Sequence, residues 1–404
     1  MIRVVAFSTW RLRPRSITLF GQRVTVFLNA VRVLGALIGF GIASSAWVFP
    51  QEATEDRVKG SGWWPTKSVP SRADYVGPAA CGECHTSQAE TQPATPMAHA
   101  LVTAMPEILG ARSQARFQTG PYTYEVSRQE SGATYSIRDP ARALAVPLRW
   151  VFGLGKIGQT YVLERNGEFY ESRVSFFSAL NALDFTVGHA RSVPASLEEG
   201  FGKFVHPLEA KHCFGCHSTA SVIDNQLRLA ELVPGVTCEA CHGPGARHVA
   251  AMKAGKLEAK AIFNPARLNP VDSVDFCGAC HRTWWDVKLM DSVGRINVRF
   301  QPYRLQNSRC WKESRGDARL ACVSCHDPHE ELQRDDAVYD SKCLACHNGA
   351  ARSNVAAKPV ARKCPTATRD CVKCHMPKVE PPEAHFQFAD HWIRVVRLGE
   401  GYPN

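Results

Sequence analysis

Through residues 111–200, apolar side chains alternate with polar ones at the period of a strand with one buried face. Tyr122, Tyr124 and Val126 form one such run, and Tyr135 and Ile137 form a second beyond a turn at Gly132. Trp150 to Phe152 and Tyr161 to Leu163 predict further strands, and Asn166-Gly167 predicts a hairpin turn before Phe169. The same stretch holds Gly153, Gly155 and Gly158 in the order GLGKIG, a formal match to a dinucleotide fingerprint. Strand and turn residues (QTYVLERNG) follow it, where a pyrophosphate would need a helix N-terminus, so it is not read as a nucleotide site.

The pattern differs on either side of this stretch. Val33 to Phe49 is a continuous apolar run preceded by Arg3, Arg11, Arg13, Arg15, Arg23 and Arg32, with no acid before Glu52. That order of charge and hydrophobicity is that of an export signal, and Ser44-Ser45-Ala46 offers small residues for cleavage. At roughly 17 residues the run also approaches the length of a membrane span, so a cleaved signal and a retained anchor both fit. Gln51 to Arg72 is polar and proline-containing and reads as a tether. Beyond residue 201 the apolar runs are short and broken by turns, with helical segments such as Ala246 to Ala261.

Composition changes this picture at one point. The 404 residues include 16 cysteines and 15 histidines, too much thiol for a reduced cytosolic enzyme unless a cofactor occupies it. Fourteen of the cysteines fall in seven Cys-x-x-Cys-His motifs: Cys81, Cys84 and His85; Cys213, Cys216 and His217; Cys238, Cys241 and His242; Cys277, Cys280 and His281; Cys322, Cys325 and His326; Cys343, Cys346 and His347; and Cys371, Cys374 and His375. Two thiols three positions apart can both form thioethers with haem vinyl groups, and the adjacent histidine supplies the proximal nitrogen to iron. Zinc knuckles and iron–sulfur sites do not require a histidine after every second cysteine, and a disulfide scaffold leaves seven histidines unexplained. The motifs therefore predict seven covalently attached haems c, with iron as the metal, on an exported, periplasmic chain, and the N-terminal run makes an inner-membrane anchor one of its two expected readings.

The formal charge of +10 falls to about +4 without the six N-terminal arginines. Seven haems would bring the balance to about −3 oxidised and about −10 reduced, so the basic sequence does not indicate nucleic acid as a partner.

Eight histidines lie outside the motifs: His99, His189, His206, His212, His248, His329, His385 and His391. Histidine is a common strong ligand of low-spin haem, so these are candidates for the distal positions, His189 being the weakest. His329 and His248 follow His326 and His242 too closely to reach the far face of the same haem, so each is expected on a neighbouring one. Met97 competes with His99 at the first haem. Cys310 and Cys364 remain; an oxidising compartment favours a disulfide between them, with a free reactive thiol or a haem ligand as the alternatives. No catalytic residue is identified, although Tyr303, Arg304 and His189 are candidates to line an open haem.

The blocks YVGPAACGECH with TPMAHA, GVTCEACHGPGARH, SRCWKESRGDARLACVSCHDPH, and CVKCHMPK with ADHWIRV resemble the cytochrome c-554-like multihaem family and its doubled-CxxCH relatives. The resemblance covers most of residues 75–397. It implies a mostly helical haem domain, largely bis-histidine ligation and periplasmic electron transfer. By position it implies distal roles for His248 and His329 and puts Met97 where the family has a ligand histidine. Cys310 and Cys364 also look like recurrent features of the later blocks.

The fold class expected is α+β: a mostly α and irregular multihaem cytochrome c fold with stacked haems and few strands, plus a haem-free β-rich insert. The organisation expected is 1–49 export signal or N-terminal membrane anchor, 50–74 tether, 75–110 first haem segment, 111–200 β-rich insert and 201–404 six-haem domain. The function expected is electron transfer between redox partner proteins, with quinol-linked membrane enzymes among them. The alternative is an oxidoreductase with one open haem acting on a small nitrogen or sulfur compound.

Overall fold

The computed structural model describes residues 71–404 apart from 104–108, 110–111, 131, 154–156, 257–260, 315–319, 348–363, 398 and 404. The segment expected to be an export signal or anchor, and most of the expected tether, lie outside the described residues. Those described belong to one compact unit, Ala53–Asn404, and among them no helix is long and apolar enough to cross a membrane.

Two short helices open the unit, α1 (Pro78–Gly82) and α2 (Thr86–Thr91). A β-rich region follows. Strands β2 (Gln114–Thr119), β3 (Tyr122–Gln129), β4 (Gly132–Arg138) and β5 (Ala143–Pro147) form a four-stranded antiparallel meander. Its alternation is the one expected: Tyr122, Tyr124 and Val126 point inward from β3, and Ala133, Tyr135 and Ile137 from β4.

The second sheet runs β1 (Leu101–Val102), β6 (Trp150–Phe152), β7 (Gly158–Arg165), β8 (Glu168–Ser172) and β11 (Gly202–Val205). Strands β9 (Val174–Phe177) and β10 (Ala182–Phe185) join it through β7. Asn166 and Gly167 both take positive φ, 55° and 80°, at the tip of the β7–β8 hairpin, as a two-residue primed turn requires. Gly158 begins a strand rather than a phosphate-binding turn.

The β-rich region outruns the 111–200 expected for it. β1 pairs with β6, and β11 pairs with β8, so residues on both sides of the insert complete its sheet. Two-residue strands pair at 218–219 with 233–234 and at 222–223 with 226–227, carrying β structure to residue 234. The sequence signal failed here because two- to four-residue strands are too short to show a period.

The two sheets and the short helix α3 (Leu197–Phe201) enclose the main apolar core, which includes Tyr124, Tyr135, Ile137, Tyr161, Leu163 and Phe201. Burying a large apolar side chain stabilises by about 1.5–3 kcal/mol. The Tyr135 hydroxyl donates to the Phe201 carbonyl at 3.1 Å, whereas the Tyr161 hydroxyl is buried without a hydrogen-bond partner. A smaller core joins Leu101, Trp150 and Val162 to Phe214. Phe214 lies in the second motif, within helix α4 (Pro207–His217), and its ring sits 5.4 Å from Trp150 and 5.3 Å from Phe152.

The cysteine-rich part is helical and irregular. It comprises α5 (Cys238–His242), α6 (Ala246–Lys253), α7 (Pro270–His281), α8 (Trp284–Leu289), α9 (Gln301–Asn307), α10 (Arg309–Glu313), α11 (Asp340–His347) and α12 (Cys371–His375). Helix α6 stops at Lys253, short of the Ala261 expected; Gly255 just beyond it has φ of 71°, the left-handed conformation that commonly closes a helix. Apolar burial is sparse here: Val274, Leu305, Trp311 and Ala321 form one small cluster.

The C-terminal segment is held by a buried ion pair. Arg304 is fully buried, donating to both carboxylate oxygens of Asp390 at 2.8 and 2.9 Å and to the Pro403 carbonyl at 2.8 Å. The Trp392 and Tyr402 rings lie 4.7 and 4.4 Å from its guanidinium carbon.

Candidate functional site

The motifs fold as helical turns. In α4, α7 and α11 each forms the final turn, in α5 and α12 it is the whole helix, and Cys322–Ser324 makes a 3₁₀ turn. Helical spacing places positions three apart on one face, so both thiols of a motif point the same way. Every cysteine and histidine of the seven motifs lines one connected cavity of about 3610 Å³. Pockets for ordinary small molecules span about 300–1,000 Å³, so a single such ligand does not account for this space.

Three pairs of histidines face each other across the cavity. His85 and His248 have ring centres 6.4 Å apart and planes 22° apart, His242 and His329 stand at 6.2 Å and 17°, and His326 and His391 at 6.2 Å and 38°. Two imidazoles on opposite sides of one metal, with metal–nitrogen bonds of about 2.0 Å, put their ring centres roughly 6.2 Å apart. The pairs therefore have the spacing that an iron held between two histidines requires. Each joins a motif histidine to one that follows a later motif: His248 follows the third, His329 the fifth and His391 the seventh.

The protonation state agrees. His217 Nδ1 donates to the Ala100 carbonyl (3.0 Å), His242 Nδ1 to Phe263 (3.0 Å), His375 Nδ1 to Arg394 (2.8 Å) and His391 Nδ1 to Ala389 (3.0 Å). His329 Nδ1 makes the same bond to Asp327 Oδ1 at 3.0 Å. A carbonyl only accepts, so the proton sits on Nδ1 and the Nε2 lone pair is left for a metal. Burial lowers the pKa of His242 and His326 and pushes that of His391 down to about 4, keeping these rings neutral.

Cysteines of different motifs also meet. The Cys81 thiol donates to Cys238, and Cys277 to Cys322, which lowers the pKa of each acceptor; Cys343 and Cys371 are hydrogen-bonded as well. The first motif thus adjoins the third, the fourth the fifth, and the sixth the seventh. Cys216 Sγ reaches the Ala279 carbonyl at 3.6 Å, bringing the second motif to the fourth.

The remaining candidates divide. His206, His212 and Met97 line the cavity. His206 also caps α4, its Nδ1 accepting from Leu208 N at 3.3 Å. His99, His189 and His385 are not among the lining residues, and each turns Nε2 to an oxygen: the Pro93 carbonyl (2.8 Å), Glu171 (2.9 Å) and Asp184 (2.7 Å) respectively. An Nε2 bonded to an oxygen acceptor is not offered to a metal. Arg304 and Tyr303, candidates to line an open site, are instead buried residues of α9 itself, Arg304 paired with Asp390. Cys310 and Cys364 both line the cavity as separate thiols, and the bond expected between them is not formed.

Sequence reasoning missed the acids that join motif to motif. Glu239, inside the third motif, accepts backbone N–H groups from Val76, Gly77 and Gly245 at 3.0, 2.8 and 2.8 Å. Asp340, at the start of α11, accepts from Asp370 and Cys371 at 2.8 and 2.9 Å. The available signal was a carboxylate within or just before a motif, a weak one on its own.

Residues 189–243 match the family model described as cytochrome c554 and c-prime. The multiheme cytochrome MtrA of Shewanella baltica (strain OS185) is 23% identical over 195 residues, which cover 38% of this chain and 58% of that protein. The chain thus spans little more than half the length of that relative. The crystal structure of the outer cell wall cytochrome OcwA aligns with 52% of this chain and 37% of its own, at 18% identity and a TM-score of 0.30.

Proposed function

We propose that this chain, a multihaem c-type cytochrome related to the cytochrome c554 and c-prime family, carries seven haems c and relays electrons between redox partner proteins. The observation that carries the reading is the set of three histidine pairs, 6.2–6.4 Å apart, in a cavity lined by all seven motifs. The motif cysteines would hold each haem by thioethers, and His85, His217, His242, His281, His326, His347 and His375 would supply the proximal nitrogens. His248, His329 and His391 would be the distal ligands of the first, third and fifth haems. Bound haem supplies one-electron chemistry; the protein fixes its position, excludes water and sets its potential.

The hand-off of ligands supports a relay. Each of these histidines follows one motif and faces the histidine of another, so it would ligate a neighbouring haem and hold the two haems close. The thiol contacts link the first motif to the third, the fourth to the fifth and the sixth to the seventh. Stacked haems would then fill the space that aliphatic side chains fill in the β-rich region. We further propose that the chain works in the periplasm, with residues 1–49 as its export signal or inner-membrane anchor, and takes electrons from a quinol-linked enzyme.

Intact-mass measurement of the purified holoprotein tests the haem count, with seven covalent haems expected; a lower count would sink the assignment of a haem to every motif.

One observation favours the second reading, an open haem acting on a small nitrogen or sulfur compound. Three of the eight spare histidines are used in pairs and three turn Nε2 to oxygen, leaving His206 and His212 for the irons at His217, His281, His347 and His375. At least two of the seven irons would then lack a second histidine. Glu171, hydrogen-bonded to His189, lines the cavity and offers an acid–base group. Electron paramagnetic resonance of the oxidised protein separates the readings. Only low-spin haem supports the relay alone, and about one equivalent or more of high-spin haem supports the open site.

A further inference from the structure

We infer that Glu239 is a positioning residue, a buried carboxylate that fixes the first and third haems against each other and lowers their reduction potentials. The inference rests on the haem reading above and deepens it.

Glu239 is 2% exposed and sits between Cys238 and Cys241, inside the third motif. Its Oε1 accepts N–H bonds from Val76 (3.0 Å) and Gly245 (2.8 Å), and its Oε2 accepts one from Gly77 (2.8 Å). An ionised carboxylate is an acceptor only, so three converging backbone donors match it and would mismatch the donor half of an amide. Hydrogen bonds to a charged acceptor contribute about 1.5–3 kcal/mol each, against about 1 for neutral pairs.

The donors come from two places that matter to the irons. Val76 and Gly77 lead directly into α1 and Cys81, the first attachment point of the first motif. Gly245 immediately precedes α6, which carries His248 opposite His85. One side chain therefore sets both faces of the first haem, the attachment side through residues 76–77 and the distal side through residue 245. It does so from within the motif that attaches the third haem, next to the contact between Cys81 and Cys238. Two bulky groups crowd the same point: a Cβ added to Gly245 would meet Val76 Cγ2 at 3.1 Å and Glu239 Oε1 at 3.3 Å. The backbones are in close approach, and the carboxylate fills the gap between them.

The charge has a second effect. Reduction adds an electron to the iron, and a fixed negative charge in a water-poor wall opposes it more than the same charge in solvent would. Asp340 makes comparable bonds between the sixth and seventh motifs, but it is only half-buried, so solvent screens its charge more than that of Glu239. Glu239 is the buried member of the two.

The test compares holoproteins carrying Glu239→Gln and Glu239→Asp with the wild type, by covalent haem count and spectroelectrochemical titration. The expected result is a full haem count in both, wild-type potentials in Glu239→Asp, and one or two haems shifted upward in Glu239→Gln. The expected shift is about tenfold in the reduction equilibrium, or about 59 mV for one electron. Failure of Glu239→Gln to acquire haem at Cys81 and Cys238, with Glu239→Asp maturing normally, also supports a positioning carboxylate. A mature Glu239→Gln with unchanged potentials overturns the inference, and so does failure of both variants, which would make shape the requirement and not charge. If the wild type itself bears no haem at these two motifs, it is the functional reading that fails.

Discussion

His242 and His329 lie 87 positions apart in the chain, yet their rings are nearly parallel, 17° between planes, with centres 6.2 Å apart. Neutral imidazoles in direct stacking contact would close to a shorter distance; the observed spacing is the one a metal held between two ring nitrogens requires. His329 is kept in the right tautomer by Asp327, two residues earlier, whose Oδ1 accepts from Nδ1 at 3.0 Å.

On the proposed haem assignment, replacing His329 with Ala is expected to convert one haem from low to high spin and leave the other two histidine pairs unchanged. Electron paramagnetic resonance with spin quantification reads this directly, and added imidazole should restore the low-spin signal. His248→Ala and His391→Ala should each remove a different low-spin component. Spectra unchanged in all three variants would remove the pairing.

The Arg304–Asp390 pair predicts an acid-sensitive step. Burial opposes the charged carboxylate of Asp390, but hydrogen bonding and the charge of Arg304 outweigh it, with help from Trp392 N and Arg394, and the pKa lies below the ordinary carboxylate range. The stabilisation is therefore fully present above the unfolded value of about 3.9 and is lost as pH falls through the lower folded value. Because His391 is the next residue, the haem between His326 and His391 should go high-spin in that acid window. Asp390→Asn should lower stability at neutral pH by about 3–5 kcal/mol, since it leaves Arg304 buried and unpaired, and should abolish the acid step. Denaturant unfolding combined with a pH titration of the Soret band checks both.

Phe214→Ala should cost about 3–5 kcal/mol and loosen the second motif from the β-rich region. Phe214 is fully buried and packs edge-on against Trp150 and Phe152. The measurement is thermal unfolding together with proteolysis at the α4 boundary; an unchanged midpoint would show that haem attachment alone holds α4.

Tyr161→Phe should be neutral or slightly stabilising, within about 1 kcal/mol. Its hydroxyl is buried without a partner, so removing it relieves a desolvated polar group and leaves the ring in place. Tyr135→Phe, which loses a bond to the Phe201 carbonyl, should be destabilising by about 1 kcal/mol. Equal effects from the two substitutions, measured by denaturant titration, would contradict this account of the core.

Some features of this protein are local and were legible from the sequence alone. The seven motifs are local because haem attachment needs only five consecutive residues, and the β3–β4 alternation is local because strand period repeats every second position. The Asn166-Gly167 turn is local for the same kind of reason, its two positive φ angles being a property of the two residues. Which histidine faces which was not local. His85 with His248, and His326 with His391, are brought together across 163 and 65 positions by segments, only one of them a helix, whose placement depends on the whole cavity wall. His99 and His385 looked like ligands equal to His206 and His212 in the sequence, with His189 the weakest candidate; only the fold set the Nε2 atoms of these three on Pro93, Glu171 and Asp184. The tertiary structure alone also chose Glu239 and Asp390 as the acids that hold the pieces, because an acid's value as an acceptor depends on which distant backbone or guanidinium donors converge on it. The sequence determined what chemistry the chain can hold, through short-range spacing. The tertiary structure decided which of those groups meet, because ligand pairing and charge burial depend on contacts that no window of the sequence contains.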